Sequence, residues 1–178
     1  DRDATLTPFL TTAAGKGTIA EYRQDFSEAR LRVYGSVMAD DSGFSNKLRG
    51  HLDATARWDI NENWRSGADV RLASDRTYLR RYNFVAPTWL TSNIFAERFT
   101  DNSYFSANAY YFQRQRVAAG TASAPSVLPL LSYNYVSDPD SLGGHWDVDA
   151  NGLVLARARG TDTNRISTRV GWNLPYTA

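Results

Sequence analysis

The sequence predicts an all-β protein, an antiparallel meander of about ten strands that forms part of a barrel wall, on three observations. Hydrophobicity alternates with period two. Leu52, Ala54, Ala56, Trp58 and Ile60 are apolar, and His51, Asp53, Thr55, Arg57 and Asp59 stand between them. After the polar turn Asn61-Glu62-Asn63, the residues Trp64, Ala68, Val70 and Leu72 alternate with Arg65, Asp69 and Arg71. Residues two apart on a strand share a face, so this hairpin has one apolar and one polar face. The second observation is the character of those faces. The polar one is charged and the apolar one is small or aromatic, which suits a wall with lipid outside and a wet interior. The third is punctuation: Gly, Pro, Asp and Asn clusters end each run, and no run reads as a helix of useful length.

The strands are read in order. The first covers residues 4–12 and the second 18–26. The third covers 29–39, with Leu31, Val33, Gly35 and Val37 on one face and Arg30, Arg32 and Tyr34 on the other. The fourth and fifth form the hairpin from Arg49 onward. The sixth covers 90–99, the seventh 104–116, the eighth 127–136, the ninth 145–156 and the tenth 164–174. The eighth, VLPLLSYNYV, is apolar on both faces. Its Pro129 has no N–H to give a ladder, which asks for a bulge, an edge, or packing against something inside the barrel.

Connections after the second, fourth and sixth strands are short, and those after the third, fifth and seventh are longer. Outer-membrane barrels have this asymmetry between periplasmic turns and outside loops. The first connection is short and the one after the eighth strand is not, so the alternation weakens at the ends. Aromatics gather near strand ends. Trp58 and Trp64 flank one short turn, Phe99, Tyr104 and Phe105 flank the next, and Trp89, Trp146 and Trp172 sit near others. Interfacial girdles place aromatics so; ordinary core packing also favours them in strands, but their pairing across two successive short turns favours the girdle. Arginine decides the facing, because an Arg toward lipid near the midplane costs roughly 2–4 kcal/mol. The expected lumen-facing set is therefore His51, Asp53, Arg57, Asp59, Arg65, Asp69, Arg71, Asp147, Asp149 and Arg169.

Composition bounds the function. The 178 residues carry a net charge of +1, with Arg supplying 18 of the 20 basic groups and Asp 15 of the 19 acidic ones. Such a balance gives no global field for nucleic acid. Arg with Asp favours planar, bidentate pairs of the kind neighbouring strands can make. There is no Cys, hence no disulfide framework or thiolate metal site. Mean hydropathy is −0.47, and no run approaches the roughly 20 apolar residues of a membrane helix, whereas a barrel strand needs about 9–11. No signal-like apolar stretch is present. Asp1 and Ala178 read as the cut ends of a longer chain.

Ordered pieces of the sequence carry a family resemblance. They are DATLTP (3–8), EYRQDF (21–26), RGHLDATARWDINENWRSGADVRLASDRTYLRRYNF (49–84), LTS (90–92), VLPLLSYNYV (127–136) and GTDTNRISTRVGWNLPYTA (160–178). Together they resemble the β-barrel domain of the LptD family of outer-membrane lipopolysaccharide-assembly proteins (also called OstA or Imp), in an alphaproteobacterial version. Ser74-Asp75 followed by Tyr78 and Tyr82 is the most characteristic piece. The resemblance implies lipopolysaccharide as cargo and the outer membrane of a Gram-negative bacterium as location. It implies an LptE-like lipoprotein plugging the lumen and an LptA-like periplasmic bridge that reaches the barrel through an N-terminal jelly roll. Residues 1–178 would then be a single segment from the N-terminal half of the barrel, with the jelly roll and closing strands absent.

Catalysis has little to stand on in the sequence. His51 and His145 are the only histidines. A Ser partner such as Ser66 or Ser36 can be imagined for His51, but no nucleophile-elbow glycine pattern surrounds any Ser. A lumen histidine paired with Asp53 or a Tyr is the favoured reading. Asp147 and Asp149 lie ~7 Å apart on one face by strand rise. They suit acid–base work or Ca²⁺, or, as favoured here, pairing with Arg169. The loop SDRTYLRRY brings Arg76, Arg80 and Arg81 beside Tyr78 and Tyr82. Guanidinium forks there suit lipid A phosphates, or the loop folds over the barrel mouth with its arginines paired to Asp75 and other loop acids. No catalytic residue, metal ligand or cofactor is assigned, and the expectation is a transport protein and not an enzyme. The alternative is a soluble β-barrel binding a hydrophobic ligand, with the facing inverted so that Ala54, Ala56, Trp58 and Val70 line its cavity. A barrel hydrolase resting on His51 comes third.

Overall fold

The structure is a computed structural model, and it describes residues 1–11, 15–39, 48–116, 125–158 and 160–175. Ten strands follow one another: β1 (Arg2–Thr11), β2 (Gly15–Asp25), β3 (Ala29–Ala39), β4 (Leu48–Asp59), β5 (Trp64–Ala73), β6 (Trp89–Phe99), β7 (Ser103–Arg114), β8 (Ser126–Val136), β9 (His145–Ala156) and β10 (Thr163–Asn173). Each pairs antiparallel with the next, so sheet order is chain order. A single four-residue helix, α1 (Tyr78–Arg81), lies between β5 and β6 among the described residues. No helix among them is long and apolar enough to cross a membrane, a test that does not apply to strands. The ten expected strands are all present, and their ends move by no more than three residues.

Register fixes the two faces, because partners directly opposite in an antiparallel pair project to the same side. Between β4 and β5, Leu52 lies opposite Leu72, Ala54 opposite Val70 and Ala56 opposite Ala68. The other face sets Asp53 opposite Arg71 and Thr55 opposite Asp69. Followed from ladder to ladder, Val33, Ala54, Ala68, Ile94, Ala107, Leu131 and Gly152 all lie on one face. Tyr34, Asp53, Asp69, Asn93, Glu97, Asn134 and Asp149 lie on the opposite face.

The bulge is the right answer for Pro129. The β7–β8 register shifts between Asn108 and Tyr110, and the β8–β9 register shifts between Val127 and Leu130. Leu128 and Pro129 therefore drop out of both ladders, and the missing proline N–H leaves no gap in a regular pairing.

The buried core does not lie between two sheets. It consists of Met38, Ala73, Tyr78, Leu79, Tyr82 and Leu90, with Phe9, Phe84 and Ala86 against it. It forms where residues 74–88 fold back over the end of the charged face. Gly17 makes room for it, since a Cβ there would collide with Met38 Sδ. The apolar face is bare by contrast: Ile94 is 61% exposed, Val170 59% and Trp58 53%.

Candidate functional site

The ten residues named from the sequence lie on one face of the sheet, and eight of them form ion pairs between neighbouring strands. Arg57 reaches diagonally to Asp69, with Nη2 at 2.9 and 2.8 Å from the two carboxylate oxygens. Arg71 Nε lies 3.3 Å from Asp53, and Arg65 Nε donates to Glu97 at 2.8 Å. Glu97 also accepts from Tyr104 OH at 2.6 Å. On β9 and β10, Arg169 sits 3.1 Å from Asp147 and 3.3 Å from Asp149. The two aspartates are thus bridged by one guanidinium. Asp59 lies in register with Arg65 beside the turn. His51 lies opposite Ser36 and Ala73.

Residues 74–88 form a strap over the loop end of this face. Asp75 anchors its start. It accepts from Arg49 Nε at 2.7 Å, Arg49 Nη2 at 2.9 Å, Thr77 Oγ1 at 2.7 Å and Thr77 N at 2.9 Å. The Arg49 fork is the main reason its carboxyl titrates far below the ordinary aspartate range. Asp75 is thereby taken by a strand arginine and not by the arginines of its own loop. The helical turn α1 follows and places Tyr78, Leu79 and Tyr82 on one buried side. It ends at Asn83, whose φ of +58° is a left-handed conformation that Asn tolerates better than most residues. Tyr78 is fully buried and Tyr82 6% exposed, while Arg76, Arg80 and Arg81 are exposed. At the strap's outer surface the guanidinium groups are therefore accessible and the phenols are not. Arg80 Nη2 donates to the Gln115 carbonyl at 2.9 Å, tying the strap to the end of β7.

Tyr78 meets the strands through a polar relay. Its OH lies 2.6 Å from Ser36 Oγ, which lies 2.7 Å from His51 Nδ1. A neutral His51 accepting from Ser36, with Ser36 accepting from Tyr78, satisfies all three groups. Burial raises the Tyr78 hydroxyl above its usual pKa. Ser36 is thus the serine that adjoins His51. It is 3% exposed and covered by a tyrosine, so the pair is held as part of the packing between strap and sheet. His51 also stacks on Phe84 at 4.4 Å between ring centroids. Beside this relay lies a cavity of about 430 Å³ with Leu79, Phe84 and Leu90 in its lining.

The opposite face carries an aromatic belt. Trp58, Trp64, Phe105, Tyr135, Trp146 and Trp172 fall on the apolar side by register, all at the end bearing the short turns. Trp64 and Phe105 meet edge to face at 6.4 Å. Phe99, Tyr104 and Trp89 lie on the charged face instead. There Arg65 covers Phe99 at 4.9 Å and Arg114 covers Trp89 at 5.5 Å. Aromatic position near a strand end does not decide membership of the belt; parity along the strand does.

A meander with one bare, aromatic-rimmed apolar face and one charged face is the wall of a transmembrane outer-membrane β-barrel. The family model described as LptD, LPS transport system D, matches residues 47–178, and the chain belongs to that family. It is 36% identical over 93 residues to an LPS-assembly protein LptD of Hahella chejuensis, covering 46% of this chain and 11% of that protein. It is 29% identical over 80 residues to an LPS-assembly protein LptD of Acinetobacter baylyi, covering 43% of this chain and 10% of that protein. The matched region thus spans about a tenth of each curated relative.

Proposed function

We propose that this chain is a wall segment of an outer-membrane barrel that moves lipopolysaccharide to the outer leaflet. The single observation that carries the reading is the family match over residues 47–178, on a sheet with one bare apolar and one charged face. The segment belongs to the N-terminal half of the barrel, and the jelly roll and closing strands lie elsewhere in the full-length protein. The apolar face meets lipid. The charged face, with its Arg57–Asp69, Arg71–Asp53 and Arg169–Asp147 pairs, lines the lumen and meets an LptE-like plug lipoprotein. The strap lies at the outer mouth, where Arg76, Arg80 and Arg81 face the phosphates of emerging lipopolysaccharide. An LptA-like bridge delivers the cargo to the N-terminal domain. The chain does binding and guiding and no covalent chemistry.

The test is complementation in a strain depleted of the full-length protein, reading newly made lipopolysaccharide at the cell surface by labelling of its sugars. A copy lacking residues 74–88, compared with the wild type, should lower surface arrival while lipopolysaccharide accumulates inside. Normal arrival with the barrel folded would remove the strap from the pathway. Failure of the wild type itself to restore arrival would remove the function.

A further inference from the structure

Arginine marks the charged face of this sheet, and one arginine is not on it. Trp64 lies opposite Arg98, and Arg98 lies opposite Phe105. Arg98 therefore projects from the apolar face. Among the described residues of β3 to β10 it is the one charged side chain there, and every other acid and arginine of those strands falls on the charged face by register. An Arg toward lipid is costly at the midplane and nearly free at the interface. Arg98 stands at the interface, one residue from the end of β6 and within the aromatic belt at the short-turn end.

Its guanidinium is uncommitted. Among the described residues it makes no hydrogen bond, ion pair or ring contact. The charged face shows the contrast: Arg57, Arg65 and Arg114 each lie over an aromatic ring, and Arg57 and Arg65 also hold an acid. Two rings flank Arg98 without taking it. Residues on strands two apart lie about 10 Å from each other, yet the Trp64 and Phe105 centroids are 6.4 Å apart. The rings thus lean toward each other across β6 at the level of Arg98. The exposed Arg98 side chain carries its charge past them, as long cationic side chains do at a membrane edge.

We propose that Arg98 holds the phosphate of a glycerophospholipid in the leaflet at the short-turn end. The proposal rests on the facing proposed above. On that facing the leaflet is the periplasmic one, at the opposite end of the wall from the strap, so this lipid is distinct from the cargo. The guanidinium fork matches the two free oxygens of a phosphodiester, and no acid on the same face competes for it among the described residues of β3 to β10. The surface below suits the rest of a lipid. Toward the midplane, Ala96 lies between Ser66 and Ala107, and Ile94 between Ala68 and Ala109. These small neighbours leave a strip along β6 for acyl chains, with Ile94 61% exposed within it. Headgroup charge and chain surface are thus in line on one strand, continuous with the lipid-facing band.

The test uses the full-length protein, stripped of lipid in a maltoside detergent and phosphate-free buffer. Two photoprobes, phosphatidylglycerol and diacylglycerol, carry a diazirine at the same position of one acyl chain near the glycerol. Irradiation is followed by peptide mapping. Phosphatidylglycerol should label Ala96, Trp64 and Phe105 several-fold more than diacylglycerol does, while both label Val170 on β10 alike. Arg98→Gln should bring the phosphatidylglycerol label at Ala96 down to the diacylglycerol level and leave Val170 unchanged, and Arg98→Lys should keep part of it. Inorganic phosphate, exchanged for chloride at equal ionic strength, should leave the label in place. Equal labelling of Ala96 by the two probes in the wild type, a comparison that needs no variant, overturns the site and leaves the facing standing. Phosphatidylglycerol label indifferent to Arg98→Gln does the same. Loss of the label to inorganic phosphate makes Arg98 a site for free anions and overturns the lipid. Label on Asn93 and Glu97 in place of Ile94 and Ala96 overturns the facing, and the site with it.

Discussion

Arg49 on β4 grips Asp75 with two parallel hydrogen bonds, Nε to Oδ2 at 2.7 Å and Nη2 to Oδ1 at 2.9 Å. The same guanidinium covers the rings of Tyr78 and Tyr82 at 5.5 and 5.9 Å. One side chain thus holds the strap by its acid and by its aromatic turn. The Arg49 side chain is only 15% exposed, so the pair is poorly screened by solvent. Arg49→Ala should cost about 1.5–3 kcal/mol, the range for a hydrogen bond to a charged group. A double-mutant cycle with Asp75→Asn should return a clear coupling energy. Heat-modifiable mobility and protease cutting within residues 74–88 of the full-length protein are the readouts. Arg49→Lys should recover the charge but not the fork, and so only part of the loss.

Acid should act on this contact late. The Asp75 carboxyl is lowered in the folded state from an ordinary value of 3.8. A lowered acid contributes stability that is present above the unfolded pKa and lost as pH falls through the folded one. The difference in stability between wild type and Asp75→Asn should therefore be flat from neutral pH down to about 4 and shrink only below it. A difference already falling between pH 7 and 5 would contradict the Arg49 fork.

Tyr78 offers two separable tests. Tyr78→Phe keeps the ring and removes the hydroxyl at the head of the Ser36–His51 relay, at a cost of about 1 kcal/mol. Tyr78→Ala empties the centre of the core and should cost about 3–5 kcal/mol, with residues 74–88 becoming open to protease before the strands do. Equal losses in the two variants would mean that the hydroxyl, and not the packing, holds the strap.

The strands were legible because a half-buried sheet writes its faces into the chain with period two, as in Leu52–Ile60 against His51–Asp59. The strap was legible only in part. Tyr78 and Tyr82 stand at the i, i+4 spacing of a helical turn, a signal that one side would be buried. The partner of Asp75 was not legible, because Arg49 lies on another strand and only the fold brings it near. The belt was misread where it need not have been, since the neighbours Tyr104 and Phe105 cannot both face the same side of a strand.

The exposed end of the charged row should respond differently from Arg49. Arg169 bridges Asp147 and Asp149, but its side chain is 74% exposed. Arg169→Ala should cost no more than about 1 kcal/mol, the usual ceiling for solvated pairs, and 0.5 M salt should erase most of that. A loss matching that of Arg49→Ala would show that β10 is covered in the full-length protein, which buries the bridge.

Gly67 tests the packing of the charged face itself. It lies opposite both Arg57 and Phe95, and the Phe95 ring occupies the space a side chain would need. A Cβ there would come within 2.7 Å of that ring and within 2.7 Å of the Ala56 carbonyl oxygen. Arg57 in turn covers Phe95 at 5.4 Å while it holds Asp69. Gly67→Ala must therefore push the ring aside, disturb the Arg57 fork and strain the β4–β5 ladder at once, a loss of about 1–3 kcal/mol typical of overpacking. Phe95→Ala in the same chain removes only one of the two clashes. The double variant should therefore regain part of the loss, and the carbonyl contact should keep it below Phe95→Ala alone. Full recovery to the level of Phe95→Ala would mean that the backbone yields there and that the ring alone dictates glycine.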